Sequence, residues 1–389
     1  MSSQSYLVVG GGILGATIAE RLAVRGADVT VLIAPAKPGT SATERTLGWI
    51  NDTGVSIAEY RTLRTIGKLR LAQRQLVDAS RPEGTTWYHQ SGRLDWASAA
   101  GRQELPAHNG AHRESIEEEA ARLSSQGQDA YLISPSEAAA IDPALDGASL
   151  SGNVLWVPED AWVDLPLFAR TLLTRARSAG ACIVRGSALT LLESDDGTVR
   201  GVRTENGDIT ADRTIVAAGE DTPALISRFA AIPKASTTGV TVFTTPLDNP
   251  PRTVLRAPFA GARTDEQGRL VVVADPLEAA ILPDGTLDPD ALRHTLDHLS
   301  AFLAGHPALE AEHVFIGPRP IPGDGLPVAG VVAATGGTLA VAFTHSGATV
   351  GYALGQILAD ELLDGTRAVV LDAFRPERFA VNGLDARFD

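Results

Sequence analysis

The sequence predicts an α/β protein in which a parallel, doubly wound domain is interleaved with a smaller antiparallel-sheet domain. Three observations predict it. A strand–glycine–helix–strand unit opens the chain. Two further apolar strands run into glycines, at Gly219 and Gly347, far downstream. Between these landmarks, residues from about 75 to 150 and from about 235 to 320 change texture, with more Pro, alternating strands and polar helices. The 389 residues suit two or three domains at roughly 150 residues each.

Leu7-Val8-Val9 is a short apolar run that stops at Gly10-Gly11-Gly12, as a buried parallel strand does. Leu14, Ile18 and Leu22 then recur every four residues and give one apolar helix stripe, with Gly26 placed as its C-cap. Residues 27–33 form the second strand. Gly10, Gly12 and Gly15 thus spell G-x-G-x-x-G between a strand and a helix. The first glycine allows the tight turn, the second lets backbone approach a pyrophosphate, and the third lets helix pack closely on sheet. The phosphates are expected on the helix N-terminus, where free N–H groups and the dipole favour an anion. The second strand of such a unit ordinarily ends in an acid that holds the ribose. Here that place is Ile33.

A helix is expected between Leu167 and Gly180, followed by a core strand from Ala181 to Val184 that buries Cys182. Residues 199–204 and 208–210 read as a hairpin around Asn206-Gly207. The segment from Arg113 to Ser125 reads as a polar helix. Residues 214–219 and 339–343 are cofactor-type strands; the latter leads into His345-Ser346-Gly347 and a helix patterned on Tyr352, Gly355, Leu358 and Leu362.

Composition narrows the function classes. The net charge of −14 gives no electrostatic basis for gripping nucleic-acid phosphates or anionic membranes. The single cysteine excludes an internal disulfide framework. No stretch approaches the ~18 apolar residues of a span, and the N-terminus lacks a signal-peptide pattern, so a soluble cytoplasmic protein is expected. His294 and His298 sit at i, i+4, but no third ligand lies near, and they read, like His108 and His112, as a solvated face rather than a metal site. Trp49, Tyr88, Trp96, Trp156 and Trp162 read as core aromatics.

Several motifs in order carry a family resemblance: residues 8–15; Gly39-Thr40-Ser41 with Gly48-Trp49-Ile50-Asn51; Ile215-Val216-Ala217-Ala218-Gly219; Gly317-Pro318-Arg319-Pro320 with Asp324-Gly325-Leu326-Pro327 and Gly330; His345-Ser346-Gly347; and residues 374–379. The chain resembles the flavin-dependent amine and amino-acid oxidoreductases of the D-amino-acid oxidase, glycine oxidase and sarcosine oxidase type, over nearly its whole length. The resemblance implies a Rossmann-like FAD-binding domain (1–75, 150–234 and 322–389) interleaved with an antiparallel-sheet substrate domain (76–149 and 235–321). It implies non-covalent FAD, a small amine or amino-acid substrate, hydride transfer from the carbon bearing nitrogen to the flavin, and an imine product.

The same resemblance assigns sites. Gly10, Gly12, Ile13, Leu14, Gly15, Thr40, Ser41, Arg45, Val184, Ala218, Gly219, Gly317, Arg319, Ser346, Gly347, Ala348 and Thr349 would hold the cofactor. Arg319 and His345 would serve catalysis, Arg319 by gripping a carboxylate with its planar fork and His345 as an acid or base near neutral pH. For Arg319 the other reading is a structural ion pair, for instance with Asp324; for His345 it is a structural role, with the neighbouring Ser346 and Gly347 amides facing the flavin. Glu44 and Arg45 bring charge close to the expected flavin. The lysine that some sarcosine-type members place by the flavin has no counterpart after Lys234. Two alternatives share the fold: a flavoprotein-type chain that has lost redox turnover, and a 2-hydroxy-acid oxidising enzyme.

Overall fold

In the computed structural model, residues 4–35, 39, 41–51, 57–81, 84–96, 114–235 and 237–381 are described. The opening unit forms as the sequence dictates. The strand Ser5–Val9 leads through the glycines into the helix Ile13–Val24 and then into the strand Asp28–Ile33. Both strands lie inside a six-stranded sheet ordered Val328–Val331, Leu339–Phe343, Arg213–Val216, Ser5–Val9, Asp28–Ile33, Cys182–Arg185. Its neighbours are parallel, except that Val328–Val331 runs antiparallel to Leu339–Phe343. Strands buried on both faces explain the unbroken apolar runs. The helix Ile13–Val24 packs against Leu165–Ser178 and Gly347–Asp364. Leu14, Ile18 and Leu22 share one core with Ala353, Leu354 and Leu358.

The second main sheet has eight strands, in the order Ala311–Pro318, Thr238–Pro246, Arg269–Ala274, Ala260–Thr264, Val254–Arg256, Arg93–Asp95, Val154–Val157, Tyr131–Ile133. All pairs are antiparallel except Val254–Arg256 with Arg93–Asp95. Val154–Val157 therefore joins this sheet, although it follows residue 150. The inner face carries Val240, Val242, Leu270 and Val272, covered by Leu296 and Leu299 of the helix Pro289–Ser300. Two three-stranded sheets complete the fold. One contains the expected hairpin of Val199–Thr204 with Gly207–Thr210. The other joins Trp49–Ile50, Ala161–Val163 and Tyr88–His89.

Helix ends depart from the expected ones for identifiable reasons. The helix expected from Arg113 starts at Ile116, because Ser115 and Glu118 form a capping box. The helix expected from Leu167 starts at Leu165, where the Asp164 carboxylate accepts from the Leu167 N–H, 2.8 Å. Cys182 is in a strand as expected, but its side chain is exposed rather than buried. Its strand is the edge of the six-stranded sheet, and both of its end residues, Cys182 and Arg185, are exposed. Trp96 and Trp162 are buried, and Trp87, which stacks on Phe168 at 3.7 Å between centroids, is wholly so. Among the described residues no helix is long and apolar enough to cross a membrane.

Candidate active site

The first glycine turn is built by close approach. Gly10 has φ +119°, and a Cβ there would stand 2.2 Å from the Ala217 carbonyl oxygen of the neighbouring strand's end. A Cβ on Gly15 would stand 2.0 Å from the Gly10 carbonyl oxygen. Neither place tolerates a side chain. Gly12 caps the helix with extended backbone and no side-chain hydrogen bond. Instead the Ile13 N–H donates to Oγ1 of Thr43, 3.2 Å away. The helix therefore presents its first N–H groups to the loop that follows the second strand.

These groups open into a cavity of about 1050 Å³. Gly10, Gly11, Gly12, Ile13 and Leu14 line it, as do Ser41, Arg45, Ala218, Gly219, His345, Gly347 and Ala348. The other expected cofactor positions stand outside its wall. Gly15 acts from beneath, through helix packing. Val184 pairs with Leu32 in the sheet and packs with Leu7 and Val9; the wall there is formed by residues 186–191. Thr349 is buried in its helix, and Ser346 accepts a hydrogen bond from the Tyr60 hydroxyl. Thr40 falls outside the described residues, as do His108 and His112.

Ile33 lines the cavity, so no acid stands at the end of the second strand. Glu44 lines it as well, but its carboxylate is turned back on its own loop, accepting from the Ser41 hydroxyl at 3.1 Å. The wall also includes Arg170 and Arg228, which no sequence signal marked, together with Leu173, Leu189 and Leu191. A cavity of this volume with a backbone-lined anion seat and apolar side chains in its wall fits a dinucleotide cofactor.

Arg45 lies over Gly317: a Cβ on that glycine would sit 1.6 Å from its Nη1. Its Nη2 donates to the Pro318 carbonyl, 3.2 Å, and burial holds its guanidinium below the usual arginine range. Pro318 and Pro320 line the cavity while Arg319, between them, does not. Arg319 points over Gly239 and pairs with Glu278 of the helix Asp275–Ala279. Both oxygens of Asp324 accept from Arg378, at 2.7 and 2.9 Å. Burial pushes the Glu278 carboxyl up to about 7 against the opposing pull of Arg319. Glu278 and Gly239 carry no motif, and only the folded sheet reveals them. His294 and His298 lie on the exposed face of their helix, and among the described residues no three His, Cys, Asp or Glu side chains are grouped to hold a metal ion.

The chain is similar to several known proteins. Residues 5–361 match the profile of a family described as FAD dependent oxidoreductase. A D-amino acid dehydrogenase of Sinorhizobium medicae is 30% identical over 226 residues, 56% of this chain and 52% of that protein. A second one, of Rhizorhabdus wittichii, is 28% identical over 64% of this chain and 60% of its own length. The matches thus span between half and three fifths of these relatives. An uncharacterized oxidoreductase of Bacillus subtilis is 27% identical over 96% of this chain and 98% of its own. Among solved structures, glycine oxidase from Bacillus cereus superposes with a TM-score of 0.77 at 19% identity, covering 95% of this chain and 98% of that one. Iminodiacetate oxidase from Chelativorans superposes with 0.78 at 21% identity and the same coverage.

Proposed function

The chain belongs to the FAD dependent oxidoreductase family, and on that premise we propose that it holds FAD non-covalently and oxidises a C–N bond of a small amine or amino acid. The observation that carries the reading is the shared cavity wall. The glycine fingerprint at one place, and Arg45, Pro318, Pro320 and His345 at another, enclose one space. The six-stranded sheet is read as the cofactor domain and the eight-stranded sheet as the substrate domain, with Val154–Val157 assigned to the latter.

FAD, when bound, supplies a two-electron acceptor for hydride. The protein's part is positional and electrostatic. The N–H groups at the start of the helix Ile13–Val24 would face the pyrophosphate. Residues of the loop 41–46 and of 344–348 would border the flavin. Arg319 would hold a substrate carboxylate, and His345, exposed in the cavity wall, would exchange protons with bulk water as the amine is deprotonated. The carbon bearing nitrogen loses a hydride and the nitrogen a proton, giving an imine that water hydrolyses to a carbonyl compound and an amine.

Anaerobic titration tests this. Purified protein reconstituted with FAD should show bleaching of the flavin band on adding a small amino acid or amine, with carbonyl product in matching amount. Colourless protein that takes up no FAD removes the reading.

A further inference from the structure

The proposed substrate arginine already has a carboxylate beside it, and the two meet through one contact rather than through a two-pronged fork. Arg375 meets Glu361 through two nitrogens and two oxygens, at 2.6 and 2.7 Å, and Arg378 meets Asp324 likewise, at 2.7 and 2.9 Å. Arg319 meets Glu278 through Nη2 and Oε1 alone. Nη1 and Oε2 are left for another partner. The side chains retain 20% and 13% exposure, so the pair is partly desolvated yet open. Gly239 supplies the slot: a Cβ there would lie 2.7 Å from Arg319 Nε.

With Glu278 ionised, an open Arg–Glu pair has two poles and no net charge. A carboxylate approaching a lone arginine gains a full ion pair. Approaching this one, it meets the Glu278 carboxylate as well, and the gain is largely offset. A ligand with an ammonium one carbon from its carboxylate suffers no such penalty, because each of its charges faces its opposite. We propose that Arg319 and Glu278 form a zwitterion site, in which Glu278 is a specificity-determining residue that selects an amino acid over the 2-hydroxy acid of the same shape. The proposal rests on the reading that Arg319 faces the substrate. The charged groups acting on Glu278 are Arg319, from the end of the Ala311–Pro318 strand, and Asp275, from its own helix. Burial and Asp275 both press against its ionisation, and an arriving ammonium supplies the missing counter-charge.

Two matched probe pairs test it on the FAD-loaded protein under anaerobic conditions: D-alanine with D-lactate, and L-alanine with L-lactate. Half-saturating concentrations are read from perturbation or bleaching of the flavin band. The wild type should saturate with one alanine at a concentration about tenfold or more below the matching lactate. Glu278→Gln should narrow that ratio by about tenfold or more, weakening alanine while strengthening lactate. A variant that shifts both probes alike, or leaves the ratio unchanged, overturns the proposal. Should Glu278→Gln fail to fold around an unpaired arginine, Glu278→Gln with Arg319→Gln removes both charges together. It should bind both probes weakly and without preference, and a preserved preference for alanine overturns the proposal. Wild-type protein that holds FAD yet prefers lactate, or saturates with neither probe, overturns the zwitterion site while leaving FAD binding intact. Failure to hold FAD at all overturns the proposed function instead.

Discussion

Gly239 and Gly317 stand directly opposite each other in the antiparallel pair of Thr238–Pro246 and Ala311–Pro318, and each leaves the space that one guanidinium fills. Residues paired this way point to the same face of a sheet. Arg45 over Gly317 and Arg319 over Gly239 therefore lie on one face, with bare backbone as their floor.

The two glycines should be separable by substitution. Gly317→Ala places a Cβ 1.6 Å from Arg45 Nη1 and must displace Arg45 from the cavity wall. FAD affinity should fall and the flavin spectrum should shift. Gly239→Ala crowds Arg319 Nε at 2.7 Å, so the substrate requirement should rise at unchanged FAD affinity. Fluorescence titration with FAD and anaerobic reduction with substrate measure the two effects. Identical behaviour of the variants would show that the two arginines do not serve separate ends of the site.

Gly12→Val should lose FAD with the fold retained. The added Cβ starts 3.0 Å from Thr43 Oγ1, the acceptor of the Ile13 N–H, and branches into the anion seat. A loss of FAD affinity of at least about tenfold is expected, which is ~1.4 kcal/mol. Circular dichroism should stay near that of the parent. Normal FAD content in the variant would place the phosphates elsewhere.

FAD should come off intact when the protein is denatured. The single cysteine projects from the sheet edge to solvent, and the cavity wall includes no cysteine. Acid precipitation should leave all yellow colour in the supernatant. Flavin retained in the pellet would show a covalent link.

Arg319→Lys keeps a positive charge but loses the fork. A charge-assisted hydrogen bond is worth about 1.5–3 kcal/mol, so the substrate concentration for half-maximal flavin reduction should rise by roughly one to two decades. FAD content should not change. Equal reduction by variant and parent at low substrate would assign Arg319 to structure alone.

The raised Glu278 carboxyl carries a stability signature. Its ordinary value is 4.5 and its folded value about 7. The folded chain therefore holds this proton after the unfolded chain has released it. The stability that Glu278 contributes is complete below pH 4.5 and declines as pH rises to 7, with a slope of at most about 1.4 kcal/mol per pH unit. Urea unfolding of the parent relative to Glu278→Gln, across pH 4.5 to 8, should show this decline and then a plateau. A flat difference would mean that Glu278 is not protonated in the folded protein near neutral pH.

The sequence discloses those parts whose signal is local. The Gly10–Gly15 turn, the apolar strands and the Asn206-Gly207 hairpin follow from short-range sterics and burial, and they form where expected. Val154–Val157 was less legible, because a four-residue apolar strand does not say which sheet it joins; that is decided by pairing with Arg93–Asp95. The exposure of Cys182 is hidden for a similar reason: an apolar run predicts a strand but not whether it closes the edge of its sheet. In the site, residues on motifs were visible, whereas Glu278 was not. Its importance comes from a contact across 41 positions of sequence, with no pattern around it. Thr43 lies between two of the motif segments, and its bond to Ile13 depends on how that loop folds back.

The order of the six-stranded sheet also governs when the cofactor site comes into being. The Ser5–Val9 strand has only Arg213–Val216 between it and Leu339–Phe343, and the cavity wall runs from Val9 to Ala348. During synthesis the glycine turn emerges first and waits for a carbonyl from residue 217 and for the helix Gly347–Asp364. No nascent fragment that stops short of that helix encloses the cavity. Enclosure of the cofactor therefore requires the chain to be made at least through that helix, and until then the early strands lack the later elements that cover their apolar faces.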